Sequence, residues 1–205
     1  MSIANYTDLQ SAVADFLNRD DLTSVIPTFI AMAEANLNRS VRHWRMEDRA
    51  TALLDTQYSA LPTNYLEIIR ASLLDGNTHI LEQAGAHDIA KMRAEGIDQA
   101  GRPKYFAIVE NSIEVYPTPD QDYTIEIVYY EQLPDLATNS TNWLLNTYPD
   151  AYLYGALVHS APYLGEDARA QTWASLFQAA VSAINTDGDR AKNSGSSRNM
   201  RLRSF

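Results

Sequence analysis

Apolar residues recur along this chain with two different periods, and the change from one to the other divides it. Near the start, Tyr6, Leu9, Val13, Phe16 and Leu17 fall on one face at a 3.6-residue repeat. That spacing predicts a helix from Thr7 to Asn18, with Thr7 and Gln10 at capping-box spacing. A second helix is expected from Pro27, where a missing N–H costs nothing, with Phe29, Ile30, Ala33, Leu37 and Val41 as its apolar stripe. From about Asp48 the period becomes two. Residues 49–54, 65–74, 79–82, 104–109, 113–116 and 123–131 read as strands. Asp75-Gly76-Asn77 carries hairpin-turn chemistry, and Ala86 to Ala94 reads as a short helix within the strand-rich stretch. In 123–131, Tyr123, Ile125, Ile127 and Tyr129 alternate with Thr124, Glu126, Val128 and Tyr130, the mark of a half-buried antiparallel strand.

The helical period returns after a turn-rich stretch, Pro134 to Asn142. A third helix runs from Pro149 to about Tyr163, and a fourth from about Glu166 to Asp187, with Trp173, Leu176, Phe177, Ala180 and Ile184 inward. Gly188 and the polar run from Lys192 to Ser197 read as its end. Two isolated helix pairs would leave their apolar stripes in water, so they must pack together across the inserted strands. The expected fold is α+β. It is an antiparallel four-helix bundle (1–47 and 143–189) with an antiparallel β-domain (48–142) inserted between helices two and three, and a flexible basic arm (190–205).

Charge sharpens the picture of that arm. The formal net charge is −10, yet Arg190, Lys192, Arg198, Arg201 and Arg203 stand in a final segment without acids. Residues 1–189 therefore carry 26 acidic and 11 basic groups, an acidic body with a basic tail. Leu202 and Phe205 add apolar anchors, so Arg190, Lys192, Arg198, Arg201, Leu202, Arg203 and Phe205 form the expected partner-binding arm. Such an acidic body is poorly suited to gripping duplex DNA, where affinity comes from neutralising phosphates. There is no cysteine, which excludes disulfides, thiol nucleophiles and thiolate metal sites. No secretion signal and no membrane-length apolar run are expected, so the three Asn-x-Ser/Thr sequons read as chance.

Catalytic and cofactor constellations are not legible. His43, His79, His87 and His159 include no i,i+3 or i,i+4 pair, and His159 reads as a packed helix residue. Asp187-Gly188-Asp189 lacks the glycine and terminal acid of a calcium loop. Neither phosphate-binding glycine loops nor a nucleophile elbow is present. No catalytic, metal or cofactor residue is therefore assigned, and no cofactor is expected. The 12 tyrosines are more informative, since a ring with a polar tip suits interfaces. Tyr129, Tyr130, Tyr152 and Tyr154 are the candidates for subunit contacts, the first two pointing to opposite faces of their strand.

The stretch from Trp143 to Leu157, continuing to Ala161-Pro162-Tyr163-Leu164, resembles the hallmark of podovirus-type bacteriophage head–tail adaptors. The similarity extends to Phe16–Leu22, Ile26–Ile30 with Ala33-Glu34, Leu61–Glu67, Gly101–Phe106 and the arginine-rich end with Met200-Arg201. His159-Ser160 departs from the small and acidic residues of the family. The resemblance implies a non-enzymatic structural protein of the virion, made in the host bacterial cytoplasm. It implies a homo-oligomeric ring, usually of twelve subunits, formed by the helices beneath the portal protein. Such a ring completes the head after packaging, carries the tail or nozzle protein, and lets duplex DNA pass its lumen without sequence-specific binding. The C-terminal arm would reach the portal, and no membrane is involved. Two rival readings remain from the residues alone: a small DNA-binding protein using the basic tail, and a virion-associated hydrolase whose acids converge only in the fold.

Overall fold

The computed structural model describes residues 3–95, 100–165 and 167–193. The protein is α+β, with seven α-helices and two four-stranded sheets among those residues. It divides into two compact units, Met1–Arg45 with Leu133–Phe205, and Met46–Gln132. Residues 133–142, expected to close the β-rich stretch, group with the helices.

In the helical unit, α1 (Tyr6–Leu17) begins one residue before Thr7, the cap expected from sequence. Asn5 is the cap: its side chain accepts the Asp8 N–H at 2.9 Å, while Asp8 accepts the Ala4 N–H at 3.1 Å. Leu9, Ala12, Val13 and Leu17 face the core, but Phe16, expected inward, is 51% exposed. Helix α2 (Ile26–Ser40) buries Phe29, Ile30, Ala33 and Leu37, the stripe read from sequence.

The turn-rich segment 134–142 holds a further short helix, α4 (Leu136–Asn139), capped by Asp135. Another, α5 (Trp143–Thr147), is capped by Asn142 and leads directly into α6 (Pro149–Leu164). Glu34 of α2 reaches over to accept the Leu136 N–H at 2.9 Å. Burial, with Asp135 close by, pushes the Glu34 carboxyl up to about 7.

Helix α6 buries residues around most of its circumference: Ala151, Tyr152, Leu153, Gly155, Ala156, Leu157, Ser160 and Ala161 are all buried, while Tyr154, Val158 and His159 are half-buried. Such a helix must be covered on most sides. It packs on α1, α2 and α7 (Asp167–Asn193). A Cβ at Gly155 would lie 2.9 Å from the Ala33 Cβ of α2 and 3.1 Å from Cε2 of Phe177 in α7. Glycine here sets how closely three helices approach.

The β unit contains more than the single antiparallel meander expected. One sheet runs β1-β8-β3-β4, from β1 (Glu47–Leu54), β8 (Tyr123–Glu131), β3 (Tyr65–Asp75) and β4 (Asn77–Ile80). The other runs β2-β7-β6-β5, from β2 (Tyr58–Ala60), β7 (Ser112–Tyr116), β6 (Tyr105–Val109) and β5 (Glu82–Gln83). Strands β5 and β6 pair in parallel, so the unit is not wholly antiparallel. The short β2 and β5 lack the length for a visible two-residue period. The β3–β4 turn is as read, with Gly76 at φ +67° between paired Asp75 and Asn77.

The two sheets share one core. Leu54, Ala71, Leu73, Tyr123, Ile125, Ile127 and Tyr129 of the first meet Phe106, Ile113 and Val115 of the second. Helix α3 (Ala86–Ala94) covers a separate patch of the second sheet through Ile89, against Ala107 and Tyr116. Glu126 is a buried acid among these apolar strands, matched by Arg49 at 2.6 Å and Arg70 at 3.0 Å across three strands.

Two outcomes follow for the helical unit. Gly155→Ala should destabilise it by about 1–3 kcal/mol, because the added methyl overpacks a fixed contact; an unchanged thermal melt would show that the helices yield freely. Glu34 has a folded pKa above its ordinary 4.5. Its penalty is therefore absent below pH 4.5 and grows as pH rises toward about 7. Glu34→Gln should thus melt higher than the wild type at pH 8 and equally at pH 4, with equal melting at both pH values contradicting the assignment.

Candidate interaction surface at the end of the long helix

Three stretches of the helical unit converge on the last part of α7: residues 40–45, the α5–α6 corner, and Asn185 to Arg190. Asn185 ties two of them. Its side-chain oxygen accepts the Arg42 N–H at 2.9 Å and its amide donates to the Ser40 carbonyl at 3.0 Å. The second bond satisfies one of the carbonyls that the end of α2 leaves open. Gly188, expected to stop the helix, lies inside it. A Cβ there would stand 3.0 Å from His43 Cδ2 and 3.3 Å from His43 Cα, so this glycine admits a neighbouring backbone rather than ending a turn.

His43 is the centre of the convergence, with its side chain 3% exposed. Its ring stacks on Trp143 at 4.8 Å and lies 5.6 Å from Trp44. Nδ1 accepts the Arg45 N–H at 3.2 Å, which puts the proton of the neutral ring on Nε2. Nε2 faces Asp187 Oδ2 at 3.8 Å and makes no hydrogen bond. The same Asp187 oxygen accepts the Tyr148 hydroxyl at 2.6 Å. Burial holds His43 below the ordinary imidazole value, against the opposing pull of Asp187. Asp187, bonded to Tyr148, is held below the usual carboxylate range.

Arg45 lies over this cluster. Its guanidinium carbon is 5.3 Å from the Trp44 ring centre and 5.8 Å from that of Trp143, and Nη1 reaches the Thr147 hydroxyl at 3.4 Å. Trp44 is 43% exposed. Beside it, Tyr148, Ala179, Ser182, Ala183, Thr186, Asp187 and Arg190 line an open groove along α7. Chemically this surface presents a cation, an indole and small uncharged side chains, with Asp187 and Arg190 among them. Among the described residues, no group of three or more His, Asp or Glu is placed to hold a metal ion, and no helix is long and apolar enough to cross a membrane.

The residues expected from sequence are distributed as follows. Arg190 and Lys192 are not in an extended arm but on the last turn of α7, which continues to Asn193. Arg198, Arg201, Leu202, Arg203 and Phe205 lie outside the described residues. Tyr129 and Tyr152, proposed for subunit contacts, belong to the protein's own cores. Tyr129 is 2% exposed, with its hydroxyl 3.0 Å from both Asp48 and Asn64, and burial pushes it up to about 12. Tyr152 is fully buried and accepts the Asn142 amide at 2.7 Å. Tyr130 and Tyr154 are half-buried. His159 packs in α6 as expected, with Nε2 2.7 Å from the Asn36 amide nitrogen. The His43, Trp44, Arg45 and Trp143 cluster was missed; the consecutive His-Trp-Arg was its one local signal.

The family model for SU10 adaptor protein matches residues 4–201. The chain belongs to that family. SU10 adaptor proteins are phage head–tail adaptors, so this one is a bacteriophage structural protein of the virion. No curated protein matches it. In the adaptor, the match runs through both units and across the cluster around His43.

His43 gives this surface a pH signature. Its folded pKa lies below the ordinary 6.5, so its contribution to stability is complete above that value and is lost as pH falls through it. His43→Phe keeps the stack and removes the titration. Its thermal stability should fall less than the wild type's between pH 7 and pH 5; parallel falls would place the sensitivity elsewhere.

Proposed function

We propose that this adaptor assembles as a ring beneath the portal, completes the head after packaging and presents the platform on which the tail or nozzle protein is built. The observation that carries the reading is the family match over nearly the whole chain. Within the ring, α1, α2, α6 and α7 act as a four-helix bundle, with the β unit inserted between α2 and the later helices. Twelve copies enclose a channel through which duplex DNA passes. The net acidic chain suits that passage, because a lumen that neutralises few phosphates does not retain DNA.

A surface property of α7 supports the ring. Residues 171–185 contain no charged side chain, and Ser175, Leu176, Ala179, Ser182, Ala183 and Thr186 are exposed. Ordinary solvated surfaces are roughly one-quarter to one-third charged. A long, exposed, uncharged helix face fits a neighbouring subunit better than water. Tyr130 and Tyr154 are further contacts available to a neighbour or to the tail protein.

The C-terminal residues are the portal-binding arm in this reading. Arg190 and Lys192 form its helical root, and Arg198, Arg201, Leu202, Arg203 and Phe205 supply forked cations and apolar anchors. Deleting residues 194–205 removes the arm and spares α7. The truncated protein should melt within a few degrees of the full chain yet lose portal docking in a co-sedimentation assay. Undiminished docking by a folded truncation would remove the arm from the mechanism.

A further inference from the structure

Arg45 differs from the ion-paired arginines of this acid-rich chain. Arg19 pairs with Asp21, Arg49 and Arg70 with Glu126, Arg93 with Glu114, and Arg102 with Asp75. Arg45 is exposed, is held over two indoles and touches a threonine hydroxyl; among the described residues no carboxylate is in ion-pair contact with it. A guanidinium fixed in this way has lost much of its side-chain freedom already, so a partner carboxylate would meet a preset fork at little further entropic cost. The exposed Trp44 ring adds the kind of residue that dominates binding hot spots. The α5–α6 corner that supplies Thr147 to Arg45 also supplies Tyr148 to the groove along α7. Cation, indole and groove therefore form one continuous surface.

We propose that Trp44, Arg45 and Trp143 form a docking socket for an acidic segment of a second copy of this chain, and that this is a subunit contact of the ring. The inference rests on the ring reading above. Charge complementarity selects the occupant: the chain carries 26 acidic against 16 basic residues, so a neighbouring copy offers carboxylates abundantly. The socket is not self-complementary. In a ring the contact is heterologous: the socket of one copy takes an acidic segment from a different face of the next, and such a contact propagates until its rotation closes.

Sedimentation velocity of the full chain over a concentration series, in low and high salt, tests this directly. The wild type should form species larger than a dimer at low salt. Arg45→Ala and Trp44→Ala should require at least tenfold more protein to do so. Arg45→Lys should sit between, and its new amine should be cross-linked by carbodiimide to an Asp or Glu of another copy. Circular dichroism melts establish that each variant is folded. Wild-type and variant chains that associate equally would overturn the socket and leave the ring standing. Association in none of them, with or without portal, would overturn both. Portal docking by chains that never cross-link to one another would overturn the socket and keep the adaptor role. Loss of duplex binding in the variants, in place of lost self-association, would overturn it in favour of a phosphate ligand.

Discussion

The helical unit depends on the burial of one helix. Helix α6 has little polar surface to give to water, so α1, α2 and α7 must close around most of it. Gly155 is the point of tightest approach, with Ala33 on one neighbouring helix and Phe177 on another. That contact brings together helices contributed by both ends of the chain. It places the outward face of α7 where inward packing cannot use it, and the small, uncharged residues there stay exposed.

A second constraint acts where α7 ends. Gly188 lets the helix continue beneath His43, and Asn185 closes the end of α2. The histidine then stacks the two indoles that hold Arg45 in place. A packing solution internal to the chain thus produces an outward-facing cation held over two indoles. The same convergence sets the root of the C-terminal segment, since Arg190 follows Asp187 by less than one helical turn.

Periodicity made the principal helices and most of the long strands legible. The α2 stripe, α3 and the alternation along β8 are strong local patterns that tertiary packing then used as they stood. The misses have physical causes. Phe16 fits the apolar face of α1 by spacing yet lies at its exposed margin, because spacing does not say how wide the buried stripe is. Gly188 resembled a stop because a close backbone approach leaves the same residue as a helix end. The parallel β5–β6 pairing involves only two residues on β5, too few to show a period. Tyr129 and Tyr152 looked like interface residues because a tyrosine's polar tip satisfies itself equally well inside, against Asp48, Asn64 or Asn142. The socket around Arg45 was invisible because Trp143 and Thr147 are far from it in sequence. Family membership, by contrast, was carried by an ordered succession of modest motifs, which survives where single motifs are weak.

The central claim is that this chain is the ring between portal and tail. A cryo-electron microscopy reconstruction of the chain assembled on the portal protein tests it most directly. The account predicts a closed ring stacked coaxially beneath the portal, with the C-terminal ends of α7 directed toward it and an open channel wide enough for duplex DNA. A portal that remains bare, or one decorated by isolated copies without a closed ring, would contradict it.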